Sequence, residues 1–466
     1  MMMLSEIAKA VGGTLLSDDV RIQSVDTDSR RIQAGQLFVG IQGERFDGNT
    51  FAAEALKLGA AAVMISDATQ AVSPAVLVTD ARLALGKLAN HWRQQLHAPI
   101  TAITGSNGKT TTKEMLNAIL TAALGDSAAV HATQGNLNND IGMPLTLLKA
   151  RAQHQQIVLE MGMNHLGEIA YLSNIAQPNV AVINNAGTAH IGELGSRENI
   201  AKAKGEIFEG LTDKGIAVIN ADDTFADYWR SLNTTRKVIT FALQNAADVT
   251  ATFSEEEKSS QIKLTTPSGS VSFQLPILGM HNVYNALAAS ATAVALGIEN
   301  PFIAQGLANF GGVQGRLEYK QGLNDAMLID DTYNANPDSM KAAIQVLAHL
   351  NTTRIFVMGD MGELGEDAVA MHAAVGAYAR EHNVHHFITL GENSQHATKA
   401  FGSAAQHFTE VELLAKHVKT LMKHGVTVLV KGSRFMKMER VVKLLAVSDA
   451  QKQATEEQTL GRATCC

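Results

Sequence analysis

Short apolar runs recur along the chain, each followed by a longer stretch in which apolar residues return at helical spacing. Such runs, bounded by glycine or polar clusters, read as buried strands, and the stretches between them as amphipathic helices. Near the N-terminus, residues 4–11 carry a helical pattern, and 36–39, 61–65 and 75–78 read as strands of a small α/β unit. Residues 79–96 suit a connecting helix, and Pro99 then introduces a strand over 99–103. The first boundary is expected near Arg82.

In the middle region the strands are expected at 157–159, 180–183 and 216–219, spaced by helix-compatible sequence, which argues for a mainly parallel sheet. Between 249 and 275 the pattern switches to polar–apolar alternation around Pro267-Ser-Gly269, an antiparallel excursion at the sheet's edge that reads as decoration. An alanine-rich helix is expected over 285–296, and the Gly311-Gly312 pair marks the second boundary. Beyond it, strands at 326–329, 354–357, 386–389 and 426–430 alternate with helices in a Rossmann-like layering, without the glycine fingerprint of a dinucleotide site. The fold class is therefore α/β, with three domains: 1–82, 83–312 and 313–448. The polar segment 449–466 reads as a disordered tail.

At 466 residues the chain exceeds what one core usually organises, and a hydrophobic content of 46% suits folded domains. No apolar stretch is long enough to span a bilayer, and no secretory signal is evident, so the expected location is cytoplasmic. A net charge of −7 argues against broad nucleic-acid binding. The two cysteines, Cys465 and Cys466, sit together at the end and cannot frame a core.

The strongest chemical signal is Thr104-Gly-Ser-Asn-Gly-Lys-Thr-Thr111, lying between the predicted 99–103 strand and a helix. Gly105 and Gly108 let backbone N–H groups approach phosphate, Ser106 and Asn107 complete the loop, Lys109 reaches the β/γ oxygens, and the Thr110 hydroxyl suits Mg²⁺. The general pattern places a glycine where this chain has Ile103, so the loop is a variant. ATP and Mg²⁺ are the expected cofactors.

Glu160 ends an apolar run, where a buried carboxylate needs a cation such as Mg²⁺; a capping or salt-bridged glutamate is the alternative. His190 follows another strand end and so shares that sheet edge, as a ligand or as an ordinary loop histidine. Lys204 is one of two lysines on a helix, with Lys202 the other, and spacing does not separate them. Arg316, just past the second boundary, would meet γ-phosphate on domain closure, or else form an interdomain salt bridge. Residues 329–337 concentrate Asp331, Tyr333, Asn334 and Asn336 after a strand, and Lys431 and Arg434 follow the last one, where they could receive a carboxylate or stay solvated.

Taken together, the phosphate loop, Leu159-Glu-Met-Gly162, His190, Lys204, His281-Asn-Val-Tyr-Asn285, Gly315-Arg316 and Asp330-Asp-Thr-Tyr-Asn334 resemble the Mur ligases of bacterial cell-wall synthesis, over nearly the whole chain. The strings at 135–142, 203–208 and 332–340 resemble the branch that adds D-alanyl-D-alanine to UDP-N-acetylmuramoyl-tripeptide. The resemblance implies an ATP-dependent amide ligase acting through an acyl phosphate, with those two small molecules as substrates and a monomer as the expected state. It places peptidoglycan precursor synthesis, and with it cell shape and division, behind the activity. It also implies catalytic roles for Lys109, His190, Lys204 and Arg316. Metal contacts would come from Thr110, Glu160, His190 and a carbamylated Lys204, adenine contacts from Asn282 and Asn285, and a ribose contact from Asp331. The nucleotide-sugar substrate would meet Ser29, Arg30, Arg45, Asp47 and Gly48. The substrate set is completed by Tyr333, Asn334, Asn336, Lys431 and Arg434, the last two facing the acceptor dipeptide. From other classes, a folate-conjugating ligase and a bond-free nucleotide switch share the phosphate loop.

Overall fold

The strand that feeds the phosphate loop, Ile100–Thr104, is buried along its whole length and lies at the switch point of a nine-stranded sheet. Its parallel neighbours are Gln156–Glu160 on one side and Val180–Ile183 on the other. The chain leaves it toward Val130–Ala132 and Gln156–Glu160, then crosses to the opposite side. A crevice opens where the path reverses, at the C-terminal ends of the strands, and ligands bind in such crevices. Residues 1–447 are described by this computed structural model, and the tail expected at 449–466 lies outside the described residues.

Further out, Ile216–Asn220, Lys237–Ala242 and Val249–Glu255 continue the parallel sheet. Ser260–Thr266 and Gly269–Leu275 then close it as an antiparallel meander. The meander is more than decoration: Ile262, Leu264, Phe273 and Leu275 point into the central core beside helix Met280–Ala295. That helix begins before the expected 285, so His281, Asn282 and Asn285 all stand in its opening turns. The half-exposed edge strand Val130–Ala132 carries no apolar run and escaped the pattern.

The N-terminal sheet runs Thr14–Leu15, Ala75–Leu77, Ala62–Ile65, Gln36–Val39, Ser24–Asp26, with only its first pair antiparallel. Helix Leu4–Val11 buries Leu4, Ile7, Ala8 and Val11 and stops at Gly12, whose left-handed backbone ends the helix. Helix Ala81–Arg93 is capped by the Asp80 side chain on Leu83 N–H, and Arg82 falls in its first turn. One apolar cluster runs through this helix from Leu37 and Met64 to Ile157 and Leu172, tying the N-terminal sheet to the central one.

In the C-terminal sheet the order is Glu318–Gln321, Met327–Asp331, Val426–Lys431, Thr353–Gly359, His386–Leu390, Ala405–Phe408. The last strand in sequence inserts beside the first long one, which places Lys431 opposite Asp331 in register. No helix among the described residues is long and apolar enough to cross a membrane.

Gly86 marks the closest approach of helix Ala81–Arg93 to helix Glu168–Ala176: a Cβ there would collide with the Tyr171 hydroxyl and lie 2.9 Å from Ile175 Cδ1. Replacing Gly86 by Leu forces these helices apart and should cost about 1–3 kcal/mol. Thermal or urea unfolding of Gly86→Leu checks this, and unchanged stability would contradict the packing.

Candidate active site

The loop after Ile100–Thr104 turns through Gly108, whose φ of 82° is left-handed and where a Cβ would collide with the Asn285 carboxamide. Helix Lys109–Leu124 starts at once, so its unpaired N–H groups and positive dipole end face the loop. Ser106 and Asn107 N–H groups donate to the Asn185 backbone and side-chain oxygens at 3.0 and 2.9 Å, fixing the loop against the neighbouring strand end. Lys109 Nζ donates to Gly105 O at 2.6 Å. Burial pushes its pKa down and Glu160 pulls the other way, while Arg316 adds to the lowering. Anionic oxygen placed beside it would reverse that balance. Thr104, expected among the nucleotide contacts, instead turns inward: its hydroxyl donates to Met161 O at 2.9 Å and its side chain is on neither cavity wall described below.

Glu160 is 2% exposed and ends its strand beside the loop. Thr110 Oγ1 donates to its Oε2 at 3.0 Å, and Asn138 Nδ2 to its Oε1 at 2.8 Å. Its own N–H is held by Thr133 Oγ1 at 2.9 Å. Carboxylate and hydroxyl oxygens at one buried point fit a small hard cation. Among the described residues no three His, Cys, Asp or Glu side chains gather as a metal site, so such an ion would need oxygens from a ligand and water as well.

His190 has left-handed backbone, φ 64°, at the start of a short helix. Its Nδ1 lies 2.7 Å from Glu363 Oε2 but without hydrogen-bond alignment. Contact with His190 is the main reason the Glu363 carboxyl sits below its usual pKa. Lys204 is 1% exposed on helix Arg197–Gly205. Burial drives its ammonium pKa well down, Lys109 nearby lowers it further, and Asp223 opposes this. It is on neither cavity wall. Its fellow candidate Lys202 is exposed on the same helix, so burial separates the two where spacing did not.

The C-terminal region reaches this edge with several groups. Arg316 Nη2 donates to Thr110 Oγ1 at 3.2 Å, so the residue bridges to the phosphate loop and not to a carboxylate. Asn336 caps helix Pro337–His349 and its Nδ2 donates to Asn107 Oδ1 at 2.8 Å. Asp338 accepts from both the N–H and hydroxyl of Thr188, at 2.8 and 2.9 Å. Lys431 Nζ lies 2.7 Å from Asp331 and 3.0 Å from Asn334 O. That pairing neutralises the charge expected there for an acceptor carboxylate. Burial raises the Asp331 pKa against the pull of Lys431. Arg434, largely exposed, leans toward Glu439 at 3.4 Å.

Two cavities meet at Asn107, Gly108, Thr188, Arg316, Ser339 and Lys431. One, of about 380 Å³, holds Lys109, Glu160, His190, Glu363, Tyr333 and Arg434 on its walls. The other, of about 400 Å³, is lined by Thr111, His281, Asn282, Asn285 and Asp331 among others. Two adjoining chambers share the loop residues Asn107 and Gly108, and both carry cations and carboxylates, a polar lining that suits a nucleotide. Sequence reasoning missed Thr133, Asn138, Glu363 and Asp338 as parts of it.

Family comparison agrees with this geometry. The Mur ligase middle domain matches residues 103–293, the Mur ligase glutamate ligase domain 315–434, and the Mur ligase family catalytic domain 21–93. The UDP-N-acetylmuramoyl-tripeptide–D-alanyl-D-alanine ligase of Escherichia coli (strain K12) is 42% identical, covering 95% of this chain and 98% of its own. The chain belongs to the Mur ligase family. MurF from Acinetobacter baumannii superposes with a TM-score of 0.87 at 38% identity, covering 94% of this chain and 97% of that one. A Thermotoga maritima MurF ligase in complex with ADP superposes at 0.80 with 28% identity, covering 91% of this chain and 96% of that one.

In this Mur ligase the N-terminal candidates stand apart from the phosphate loop: Ser29, Arg30, Arg45, Asp47 and Gly48 are on neither cavity wall. Arg30 is exposed and pairs with Asp28 at 2.8 Å, an interaction that lowers the Asp28 carboxyl to about 2. Asp47 caps the turn Gly48–Phe51 through Asn49 N–H, and Gly48 packs against the Ile41 backbone too closely for any side chain. Arg45 and Phe46 are left exposed at the tip.

His281 opens partly onto the nucleoside-side cavity but is enclosed by protein elsewhere, and this desolvation, with Lys431, lowers its pKa from 6.5 to about 4. The unfolded chain therefore takes up a proton as pH falls below 6.5 while the native one does not, so this residue costs stability progressively from pH 6.5 to 4. His281→Gln should flatten that part of the stability–pH curve, and the wild-type ring resonance should not titrate between pH 7 and 5.5. A ring titrating near pH 6.5 would refute the assignment.

Proposed function

We propose that the chain joins D-alanyl-D-alanine to UDP-N-acetylmuramoyl-tripeptide at the expense of ATP, forming a peptidoglycan precursor. One observation carries the mechanism: Lys109, Glu160 and Arg316 line a single cavity, and the Thr110 hydroxyl bonds both Glu160 and Arg316. The likeness to an ADP-bound relative supports ATP as the phosphoryl donor.

In the reading proposed, a carboxylate oxygen of the tripeptide attacks the γ-phosphorus, the bond to the bridging oxygen breaks, and ADP leaves with an acyl phosphate behind. The dipeptide amine then attacks the acyl carbon, inorganic phosphate departs, and the nitrogen loses a proton to give an amide. The first step brings two anions together, which is unfavourable unless fixed positive charge offsets their repulsion. Lys109, Arg316 and the opening N–H groups of helix Lys109–Leu124 offer that charge. The walls supplied by both the central and C-terminal regions limit water access to the acyl phosphate.

Thr110 and Glu160 would hold Mg²⁺, which supplies further positive charge to phosphoryl oxygens when bound. His190, a softer nitrogen donor, belongs at the edge of that site. Lys204 is buried with a lowered pKa, the state in which a neutral amine takes up carbon dioxide; as a carbamate it would offer oxygen in place of a cation. Asn282 and Asn285 face adenine and Asp331 the ribose in this reading, with Ser29, Arg30, Arg45, Asp47 and Gly48 contacting the nucleotide-sugar. The location consistent with these substrates is the cytoplasm.

Incubation with ATP, Mg²⁺, the nucleotide-tripeptide and the dipeptide, omitting each in turn, should yield amide product only in the complete mixture. Lys109→Ala should lower the rate about 10²–10³-fold, as loss of one group stabilising transition-state charge does. Product formed without ATP, or at full rate by Lys109→Ala, would refute the proposal.

A further inference from the structure

We propose that the ring face of Tyr333 is a positioning device that aims Arg316 and Arg434 at the phosphate-side cavity, and not a surface that touches substrate. This inference rests on the ligase reading for the identity of the reaction, but its geometry stands separately. The Arg316 guanidinium carbon lies 4.3 Å from the Tyr333 ring centroid and that of Arg434 lies 5.9 Å away. The ring, not the hydroxyl, makes both contacts.

The two arginines meet different constraints. Among the described residues Arg316 forms no ion pair, its one side-chain hydrogen bond goes to Thr110, and its buried Nε has no partner. The aromatic face and that single hydroxyl are the direct contacts seen for the guanidinium among the described residues. Lys431, by contrast, is held by Asp331, which cancels its charge. An aromatic quadrupole attracts a cation without neutralising it. Arg316 can therefore be fixed in direction while its charge and most of its donors remain available to phosphoryl oxygen.

The position of the ring is set from the same stretch of chain that bears Arg316. Tyr333 N–H donates to Gly315 O at 3.1 Å, and Gly315 N–H donates to Glu318 at 3.1 Å. Arg316 and Tyr333 are thus stapled at the backbone, one residue from the arginine. Arg316, Tyr333 and Arg434 together form the partition between the phosphate-side cavity and a third cavity of about 550 Å³ behind it. Displacing the ring would leave Arg316 held by Thr110 alone and Arg434 by Glu439 alone, and would open that partition.

The test measures kcat, KM for ATP, ADP affinity and melting temperature for wild type, Tyr333→Phe, Tyr333→Trp, Tyr333→Leu, Arg316→Ala and the Tyr333→Leu/Arg316→Ala double variant. Tyr333→Leu should lower kcat about tenfold, with a smaller change in KM. Tyr333→Phe, which keeps the face, should stay within about threefold of wild type. In the Arg316→Ala background Tyr333→Leu should cost clearly less than it does in the wild type, the remainder acting through Arg434. Should Tyr333→Leu melt early, Tyr333→Phe and Tyr333→Trp decide the matter, because both retain a ring. Tyr333→Phe as impaired as Tyr333→Leu, or additive losses in the double variant, would overturn the proposal. A wild-type protein that makes no product condemns the ligase reading instead; the coupling of Tyr333 to Arg316 is then read from ADP affinity alone.

Discussion

Negative oxygens must be crowded together without repelling one another apart, and the structure is organised around that electrostatic constraint. Lys109 sits half-buried at a helix N-terminus, where desolvation lowers its pKa. The residue keeps its charge most readily with an anion beside it. Arg316 arrives from the opposite side on Thr110. Glu160 places a carboxylate on the same Thr110 hydroxyl, and a hard cation would turn that liability into further positive charge. Each group is costly to bury by itself and is justified only when phosphate is present.

The fold supplies this crowd by bringing two separately wound sheets to one edge. Switching direction about Ile100–Thr104 leaves Glu160 on one flank of the loop and Asn184-Asn185 on the other. The C-terminal region then seals the opening through Asn336 on Asn107, Asp338 on Thr188, and the Glu363 carbonyl on Gly192 N–H. These are neutral or singly charged hydrogen bonds across a polar seam, each weak alone. The region that covers the loop in this way is also the one that brings Arg316 to Thr110.

Much of the site was legible because its chemistry is contiguous. Gly105, Gly108, Lys109 and Thr110 announce a phosphate loop by local spacing, and Glu160 ends one strand that an apolar run reveals while His190 follows another in the loop beyond it. What escaped was set by distance along the chain. Glu363 meets His190 only because the two loops pack together, and Asn138 reaches Glu160 from the loop that follows an edge strand too short and too polar to stand out. Lys431 looked free until the last strand inserted beside Met327–Asp331 and gave it Asp331. Thr104 looked like part of the loop but faces inward, since side chains alternate along a strand. Likewise the 249–275 segment read as ornament because its alternation shows one buried face without showing what that face covers.

In the reaction proposed, a substrate carboxylate bonds to the γ-phosphorus beside Lys109 and Arg316. Labelling the tripeptide's reacting carboxylate with ¹⁸O and weighing the inorganic phosphate released on ligation tests this directly. One labelled oxygen should pass from the carboxylate into each phosphate, because that oxygen bridges carbon and phosphorus before the amine arrives. Phosphate released without label, alongside normal amide product, would contradict it.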